Sequence, residues 1–355
     1  MSPSLDRGEP ATGRASPAAT GAGPAGGATP LLAGEGLVKH FPVRRGLFGR
    51  RGRTLRAVDG IDLGVDAGEC LAVVGESGSG KSTLARLLIR LAAPTAGRVR
   101  FRGQDLALLG REELRRMRRH FQMVFQDPYG SLNPRMTVGR ALAEPMAVHR
   151  LAPAGERRAR VEDLLERVGL PGEAASRYPH EFSGGQRQRV AIARALATGP
   201  ELLVADEPVS ALDVSVRAQV VNLLADLQAS LSLALVFISH DLSVVEQIAD
   251  RVAVLYLGKV VEQAPAQRLF AAPQHPYTVS LLAAVPVPEP GAGPGRAVAA
   301  GEPPSPVDPP PGCPFHPRCP IARPRCAVDP PPLSPVLPGH LAACHFPGEA
   351  PLAVR

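Results

Sequence analysis

Long hydrophobic runs are absent from this 355-residue chain. No segment approaches the roughly 18 consecutive apolar residues of a membrane span, and the N-terminus lacks the basic-then-apolar order of a secretory signal. We therefore expect a cytosolic protein. The hydrophobic content of 45% is ample for a buried core in one large domain or two modest ones.

Lysine is also scarce, because Lys39, Lys81 and Lys259 are the only three among 40 basic residues. The net charge of +7 comes mainly from arginine, partly in runs such as residues 115–119. Basic runs of this kind can contact nucleic acid or an anionic membrane surface, but most are solvated faces of helices. We therefore expect no nucleic acid partner.

A glycine-rich segment, residues 75–83, stands between the apolar run 70–74 and a helix-favouring run that begins at Leu84. It reads GESGSGKST and matches the pattern G-x-x-x-x-G-K-[ST] of a P-loop. Such a loop curls its backbone N–H groups around a polyphosphate at the positive end of a helix. Lys81 is predicted to lie along the β- and γ-phosphates, and Ser82 to bind Mg²⁺. The predicted nucleotide-binding residues of the loop are Gly75, Glu76, Ser77, Gly78, Ser79, Gly80, Lys81, Ser82 and Thr83.

Two later apolar runs end in side chains suited to phosphate chemistry. Residues 201–207 read ELLVADE, which predicts a buried strand with Asp206 and Glu207 at its end. Asp206 would hold Mg²⁺, and Glu207 would orient water for in-line attack on the γ-phosphate. The run 234–238 leads to His240, which is predicted to reach the γ-phosphate because ligands bind at the carboxyl ends of parallel strands.

Three further features are candidates for the same chemistry. Gln126 follows the apolar run 121–125, and its amide can reach Mg²⁺ or the attacking water. Phe41 lies before a loop, where its ring can stack on adenine, although a core or surface phenylalanine is equally consistent with the sequence. A second helix opens with small residues that can bind phosphate; since one nucleotide cannot use two such sites in one chain, this one is predicted to serve a neighbour's nucleotide. Its residues are Ser183, Gly184, Gly185 and Gln186.

The motifs GESGSGKST, the Gln126 loop, FSGGQ, LLVADE, SALD and His240 occur in this order along the chain. Together they resemble the motifs of the nucleotide-binding subunits of ABC transporters, over roughly residues 31–282. The resemblance implies an α/β P-loop NTPase fold. That fold has a core parallel sheet, an antiparallel β part and an inserted helical subdomain, here at about residues 129–185.

The resemblance also implies an activity and an assembly. The chain would bind ATP and Mg²⁺ and hydrolyse ATP, with Gln126, Glu207 and His240 as catalytic residues. Two subunits would form a head-to-tail dimer with each ATP between the P-loop of one subunit and residues 183–186 of the other. Asp213 would help the two sites communicate across the interface.

Two segments narrow the resemblance to the oligopeptide and dipeptide importers: VFQDPYGSLNPR at residues 124–135 and HPYT at residues 275–278. Membership implies a second ATP-binding subunit, identical or different, two integral membrane permease subunits and, indirectly, an extracytoplasmic substrate-binding protein. The expected location is the cytoplasmic face of the cell membrane. A soluble ABC-type ATPase acting on nucleic acid or ribosomes and an exporter ATPase are the alternatives. The cargo, whether oligopeptide, dipeptide, nickel or another, cannot be read from a subunit that does not touch it.

The composition divides the chain into four parts. Large apolar side chains are nearly absent from the N-terminal part, which predicts disorder, and proline, glycine and alanine dominate a later linker. The predicted parts are a disordered tail (1–30), the nucleotide-binding domain (31–285), a proline-rich linker (286–312) and a cysteine-rich region (313–347).

The cysteine-rich region holds four of the five cysteines, Cys313, Cys319, Cys326 and Cys344, whereas Cys70 is expected in the core. In a reducing compartment such a group argues for a metal rather than for disulfides. The spacing lacks the C-x-x-C pairs of zinc ribbons, and the related importer subunits suggest a [4Fe–4S] cluster. Zinc and an empty site remain the alternatives. The histidines available as substitute ligands for zinc are His316, His340 and His345.

Overall fold

The computed structural model describes residues 29–43, 53–284 and 301–351. Within them the strands are β1 (Leu32–Pro42), β2 (Thr54–Val65), β3 (Cys70–Val74), β4 (Ala96–Phe101), β5 (Gln104–Asp105), β6 (Phe121–Val124), β7 (Leu202–Asp206), β8 (Ala234–Ser239), β9 (Arg251–Tyr256), β10 (Lys259–Pro265), β11 (Ser334–Leu337) and β12 (His340–Ala342). The α-helices are α1 (Lys81–Leu88), α2 (Arg111–Met117), α3 (Pro128–Ser131), α4 (Val138–Val148), α5 (Arg157–Arg167), α6 (Gly184–Leu196), α7 (Val214–Leu231), α8 (Leu242–Ile248), α9 (Ala266–Ala271) and α10 (Pro276–Ala283). The predicted tail up to residue 28 and the predicted linker over residues 286–300 lie outside the described residues.

The larger sheet has the strand order β11-β12-β10-β9-β3-β8-β7-β6. Its strands β9, β3, β8, β7 and β6 are parallel. Every residue of β3, β7 and β8 is buried, which explains why these segments read as continuous apolar runs rather than alternating ones. The carboxyl ends of the parallel strands meet at one edge of the sheet, where β3 leads into α1. The predicted core parallel sheet is therefore confirmed.

The smaller sheet is antiparallel, with the order β2-β1-β4-β5. One of its faces is covered by α1, because Leu37, Val58 and Ile61 share a hydrophobic cluster with Leu84 and Leu88 of that helix. This sheet is the predicted antiparallel β part. It leaves α1 packed between two sheets, which fixes the direction in which the helix N-terminus points.

A helical layer occupies the chain between β6 and β7. Val161, Leu165 and Val168 are buried along α5 and just after it, on the helical face that their spacing predicts. They join α4 and α6 in one hydrophobic cluster. None of the helices among the described residues is long and apolar enough to cross a membrane.

The cysteine-rich region continues the sheet of the nucleotide-binding part. β12 pairs antiparallel with β10, and β11 completes the edge. The buried carboxylate of Glu262 on β10 accepts hydrogen bonds from the backbone N–H groups of Gln274 and His275, and it lies 2.7 Å from Nε2 of His340 on β12. The region is thus joined to the fold by both backbone and side-chain contacts.

Candidate nucleotide-binding site

The turn between β3 and α1 depends on glycine at two positions. Gly75 and Gly80 have positive φ angles of 154° and 106°. A Cβ on Gly75 would lie 2.2 Å from the carbonyl oxygen of Leu255, and one on Gly80 would lie 2.0 Å from that of Ala57. Any other residue would therefore push the loop away from β9 and β2. The loop is thereby closed tightly in front of the N-terminus of α1.

Lys81 places a buried cation inside this loop. Its Nζ donates to the carbonyl oxygens of Gly75 and Glu76, at 2.7 and 2.9 Å. Burial lowers the pKa of Lys81, while the nearby carboxylates of Glu207, Asp206 and Glu76 act in the opposite direction. An ammonium group at this point can bind the phosphates of a nucleotide held by the loop.

The first residue pair suited to Mg²⁺ is Ser82 with Asp206. Ser82 Oγ donates to Asp206 Oδ1 at 2.9 Å, which joins the start of α1 to the end of β7. Burial raises the pKa of Asp206, although the hydrogen bond from Ser82 opposes this. A hydroxyl and a carboxylate oxygen that converge in this way are donors that Mg²⁺ accepts, so the residues present fit the ion.

The carboxylate of Glu207 contacts two side chains that follow neighbouring strands of the sheet. Its Oε2 accepts a hydrogen bond from Gln126 Nε2 at 3.0 Å and lies 3.4 Å from His240 Nδ1. Gln126 follows β6, Glu207 follows β7 and His240 follows β8. The structure therefore brings together the three side chains that the sequence predicts to be catalytic.

The backbone of Glu207 has a conformation that the sequence did not predict. Its φ angle is 47°, in the left-handed region that residues with a Cβ seldom occupy. The conformation is held because the Glu207 N–H donates to the carbonyl oxygen of Ile238, and the Ser210 hydroxyl donates to that of Glu207. The two consecutive carboxylates have different partners: that of Asp206 contacts Ser82, and that of Glu207 contacts Gln126.

The predicted neighbour-facing residues form a second group, around the starts of α6 and α7. Ser183 caps α6: its Oγ accepts from the Gln186 N–H, and Gln186 Oε1 accepts from the Ser183 N–H. A Cβ on Gly185 would lie 2.3 Å from Cγ1 of Val216, so glycine permits α6 to pack closely on α7. Asp213 stands at the N-terminal end of α7 without capping it through its side chain.

The candidate adenine contact, Phe41, lies near the end of β1 and is 38% exposed. The ammonium of Lys39 lies 5.2 Å from the centre of its ring. Its exposure leaves the ring available for stacking, and its role stays a prediction.

The four cysteines of the C-terminal region line one small pocket. The pocket is also lined by Phe315, His316 and His345. Burial chiefly raises the pKa of Cys313 and of Cys344 to about 11. Among the described residues, no three His, Cys, Asp or Glu side chains are placed to hold one metal ion. The cysteines thus line one pocket as expected, but the described residues give no support for a bound metal, either a single ion or an iron–sulfur cluster.

The histidines suggested as substitute zinc ligands have other partners. Nε2 of His340 lies next to Glu262, outside the cysteine pocket. His316 Nδ1 lies 2.9 Å from the carbonyl oxygen of Cys313, and His345 Nε2 lies 2.8 Å from that of Asp329. Of the three histidines, His340 therefore lies at the joint between β12 and β10 and not among the residues that line the pocket.

Comparisons with known proteins agree with this geometry. The family "ABC transporter" matches residues 58–210, and "Oligopeptide/dipeptide transporter, C-terminal region" matches residues 261–326. A probable peptide ABC transporter ATP-binding protein of Sinorhizobium fredii is 55% identical over 91% of this chain and 92% of its own. The oligopeptide transport ATP-binding protein AppF of Bacillus subtilis is 52% identical over 87% and 94%, and the dipeptide transport ATP-binding protein DppF of Haemophilus influenzae is 50% identical over 89% and 96%.

Two solved structures show the same fold. A dimeric ATP-binding cassette in a post-hydrolysis state with ADP and Pi has a TM-score of 0.59 at 30% identity, covering 66% of this chain and 98% of its own. The cbiO1 component of an ABC transporter complex from Clostridium perfringens has a TM-score of 0.58 at 30% identity, covering 68% and 91%.

Fold and site together define a P-loop ATPase of the ATP-binding-cassette class. Within that class, the chain belongs to the family of ATP-binding subunits of oligopeptide and dipeptide ABC transporters. The prediction of an ATPase that energises an ABC importer is confirmed. Neither a nucleic acid-acting ATPase nor an exporter ATPase is supported.

Proposed function

We propose that this chain binds ATP on residues 75–83 and hydrolyses it beside Glu207, and that the cycle drives import of oligopeptides or dipeptides. The observation that supports this most directly is the convergence of Gln126 and His240 on the Glu207 carboxylate. The peptide cargo is supported by the family match of the C-terminal region and by relatives named for peptide, oligopeptide and dipeptide transport.

Each side chain of the site has a distinct task in this proposal. Lys81 and the loop N–H groups hold the phosphates in line for attack. Ser82 and Asp206 would hold Mg²⁺, with Gln126 within reach, and the ion neutralises phosphate charge when bound. Glu207 orients the attacking water, and the hydrogen bond from Gln126 fixes one of its carboxylate oxygens. His240 Nδ1 lies 3.4 Å from Oε2 of Glu207, so it would polarise the water that Glu207 orients.

A second ATP-binding subunit completes the site. Ser183, Gln186 and Asp213 are exposed, and Val214 next to Asp213 is 79% exposed despite its apolar side chain. An exposed helix start presents backbone N–H groups to a phosphate that comes from outside the chain. These residues would therefore close over the nucleotide held by the partner subunit.

The membrane permeases would dock beside Gln126. A groove there is lined by Met123, Phe125, Pro145 and Arg194, and Phe125 is 41% exposed. Because Gln126 directly follows Phe125, movement of a docked permease segment would displace Gln126. The hydrogen bond between Gln126 and Glu207 would then pass this movement on to the Glu207 carboxylate. In this proposal the chain is a peripheral subunit on the cytoplasmic face of the membrane, and a substrate-binding protein acts from the other side.

The cysteine pocket is proposed to hold a [4Fe–4S] cluster rather than zinc. The spacing of these cysteines along the chain lacks the C-x-x-C pairs of zinc ribbons. Four cysteines that line one pocket offer the four thiolates that a [4Fe–4S] cluster uses as ligands. Such a cluster would hold the region between Cys313 and Cys344 in one shape.

The function is tested by purifying the chain from its own membranes and identifying what accompanies it. We expect two multi-span permeases and a second ATPase subunit. Reconstituted into vesicles with a peptide-binding protein, the complex should take up labelled peptide only with ATP. Association with ribosomes, or outward transport in the same vesicles, would overturn the proposal.

A further inference from the structure

The P-loop residue Glu76 forms an ion pair with Arg318, which lies 242 positions later in the cysteine-rich region. Arg318 Nη1 donates to Glu76 Oε2 at 2.8 Å, and Nη2 donates to Oε1 at 2.9 Å. Two parallel charge-assisted bonds fix both the position and the orientation of the carboxylate. The Arg318 side chain is only 7% exposed, so solvent screens this pair far less than a surface pair.

Aromatic side chains pack next to the ion pair. The guanidinium of Arg318 lies 6.0 Å from the ring centre of Tyr256 and 5.9 Å from that of Phe315. The hydroxyl of Tyr277 accepts a hydrogen bond from the Glu76 N–H at 2.8 Å. Glu76 is therefore held at its backbone by Tyr277 and at its side chain by Arg318.

The sign of the charge gives this arrangement a consequence for nucleotide binding. A carboxylate within the P-loop repels the polyphosphate that the loop is built to hold. Glu76 lies close enough to act on the charge of Lys81, and its carbonyl oxygen accepts from Lys81 Nζ. Pairing with Arg318 cancels the unfavourable charge and, at the same time, fixes the first turn of the loop.

We propose that Arg318 is a positioning residue of the nucleotide site, so that the cysteine-rich region forms part of the apparatus that binds ATP. This inference rests on the proposed function of residues 75–83 as the phosphate-binding loop. Arg318 acts through Glu76: it neutralises that carboxylate and holds the loop in its closed shape. The affinity for nucleotide therefore depends on the docking of a region that lies after the sequence motifs of the cassette.

A purely structural role for Arg318 is the competing explanation. The C-terminal region, however, is already joined to the fold by the pairing of β12 with β10 and by the buried contact between His340 and Glu262. The backbone N–H of Arg56 on β2 also donates to the carbonyl oxygen of Pro306. None of these contacts involves Arg318, so we expect the region to stay docked when Arg318 is replaced.

The test is the affinity of the full chain for MgADP, measured by calorimetry so that hydrolysis does not interfere. Arg318→Met should raise Kd about tenfold. Arg318→Lys should fall in between, because lysine keeps the charge but not the two-point geometry. Arg325→Met is the matched control, since Arg325 makes a similar ion pair with Asp329 in the same region. The side chains of that pair are far more exposed than those of Arg318 and Glu76. This control should leave Kd unchanged.

The decisive comparison repeats Arg318→Met in a Glu76→Gln background. Without the carboxylate there is nothing to neutralise, so Arg318→Met should then change Kd by less than about twofold. Glu76→Gln alone should lower Kd, because it removes a negative charge from the loop that holds the phosphates. An equal loss in both backgrounds would show that Arg318 acts independently of the Glu76 carboxylate, and would overturn the inference. If Arg318→Met does not fold, Arg318→Lys in the two backgrounds makes the same comparison.

A Lys81→Ala variant separates this inference from the proposed function. If Lys81→Ala binds MgADP as tightly as the wild type, residues 75–83 are not the phosphate-binding loop and the proposed site fails. If Lys81→Ala weakens binding but Arg318→Met does not, the site stands and only the role of Arg318 is refuted.

Discussion

The guanidinium of Arg217, in the first turn of α7, donates to the carboxylate of Asp241 at 2.7 Å, one residue beyond His240. Arg217 also donates to the carbonyl oxygen of Leu212, in the loop that carries Asp213. The other oxygen of Asp241 accepts from the Ser243 N–H and so caps α8. One arginine thereby joins the loop before α7, which we assign to the dimer interface, to the loop that positions His240.

From this link we expect Arg217→Met to reduce kcat for ATP hydrolysis about tenfold, because the loop of His240 loses its anchor. The Kd for MgADP should change by less than about twofold, since Arg217 does not touch the P-loop. Steady-state kinetics and calorimetry on the same preparation measure both quantities. Arg167→Met removes an exposed pair with Asp163 and serves as the control. A similar fall in kcat for that control would contradict the assignment.

Asp241 also predicts how stability depends on pH. Burial raises its pKa, but the hydrogen bonds from Ser243 and Arg217 outweigh burial and hold the pKa below the ordinary 3.8. A carboxyl group with a depressed pKa stabilises the folded state above its unfolded pKa, and this contribution is lost as pH falls through the folded pKa. Urea unfolding should therefore show wild type more stable than Asp241→Asn by a constant amount above about pH 5. The difference should shrink below pH 3.8; a difference that grows on acidification would contradict this.

The parts of the site that the sequence predicted are those governed by local patterns. The P-loop is one continuous segment, so Gly75, Lys81 and Ser82 could be identified from spacing alone. Gln126, Glu207 and His240 each follow an apolar strand. Because the carboxyl ends of parallel strands share an edge of the sheet, their convergence followed from the fold class.

The remaining features depend on contacts between distant parts of the chain. No local pattern indicates that Arg318 meets Glu76, or that β12 pairs with β10, because a proline-rich stretch separates the two halves of each contact. The left-handed backbone of Glu207 is not indicated by the sequence either, since it depends in part on the hydrogen bond from its N–H to Ile238 on the neighbouring strand β8. In the sequence, Arg217 resembles an ordinary surface residue of an amphipathic helix. Only the structure shows its ion pair with Asp241, the N-cap residue of α8.

Replacing Glu207 with glutamine tests the hydrolytic mechanism. The amide keeps the shape of the carboxylate and its contact with Gln126, but it cannot activate water as the carboxylate does. We expect ATP hydrolysis to fall by about 100-fold or more while ATP binding is retained, so that the dimer stays closed. Size-exclusion chromatography with MgATP should show a persistent dimer. Glu173→Gln, at an exposed position far from the site in sequence, is the control; rapid turnover by Glu207→Gln would remove Glu207 from the mechanism.

The cysteine pocket leads to a prediction about bound metal. Purified without oxygen, the chain should contain about four iron and about four sulfide per molecule, as a [4Fe–4S] cluster requires. Cys326→Ser should lose most of this iron, because Cys326 is one of the buried thiols that line the pocket. Cys70→Ala should retain it, because Cys70 lies on β3, away from the pocket.

Analysis of metal and sulfide on these three proteins distinguishes the alternatives. Stoichiometric zinc without sulfide would mean that the pocket closes around a single ion, with cysteine thiolates as its ligands. Absence of both metal and sulfide would mean that the cysteines pack as buried thiols, with the raised pKa values that burial produces. Either result would refute the cluster. The ion pair between Arg318 and Glu76 does not include a thiol, so its predicted effect on nucleotide affinity would survive both outcomes.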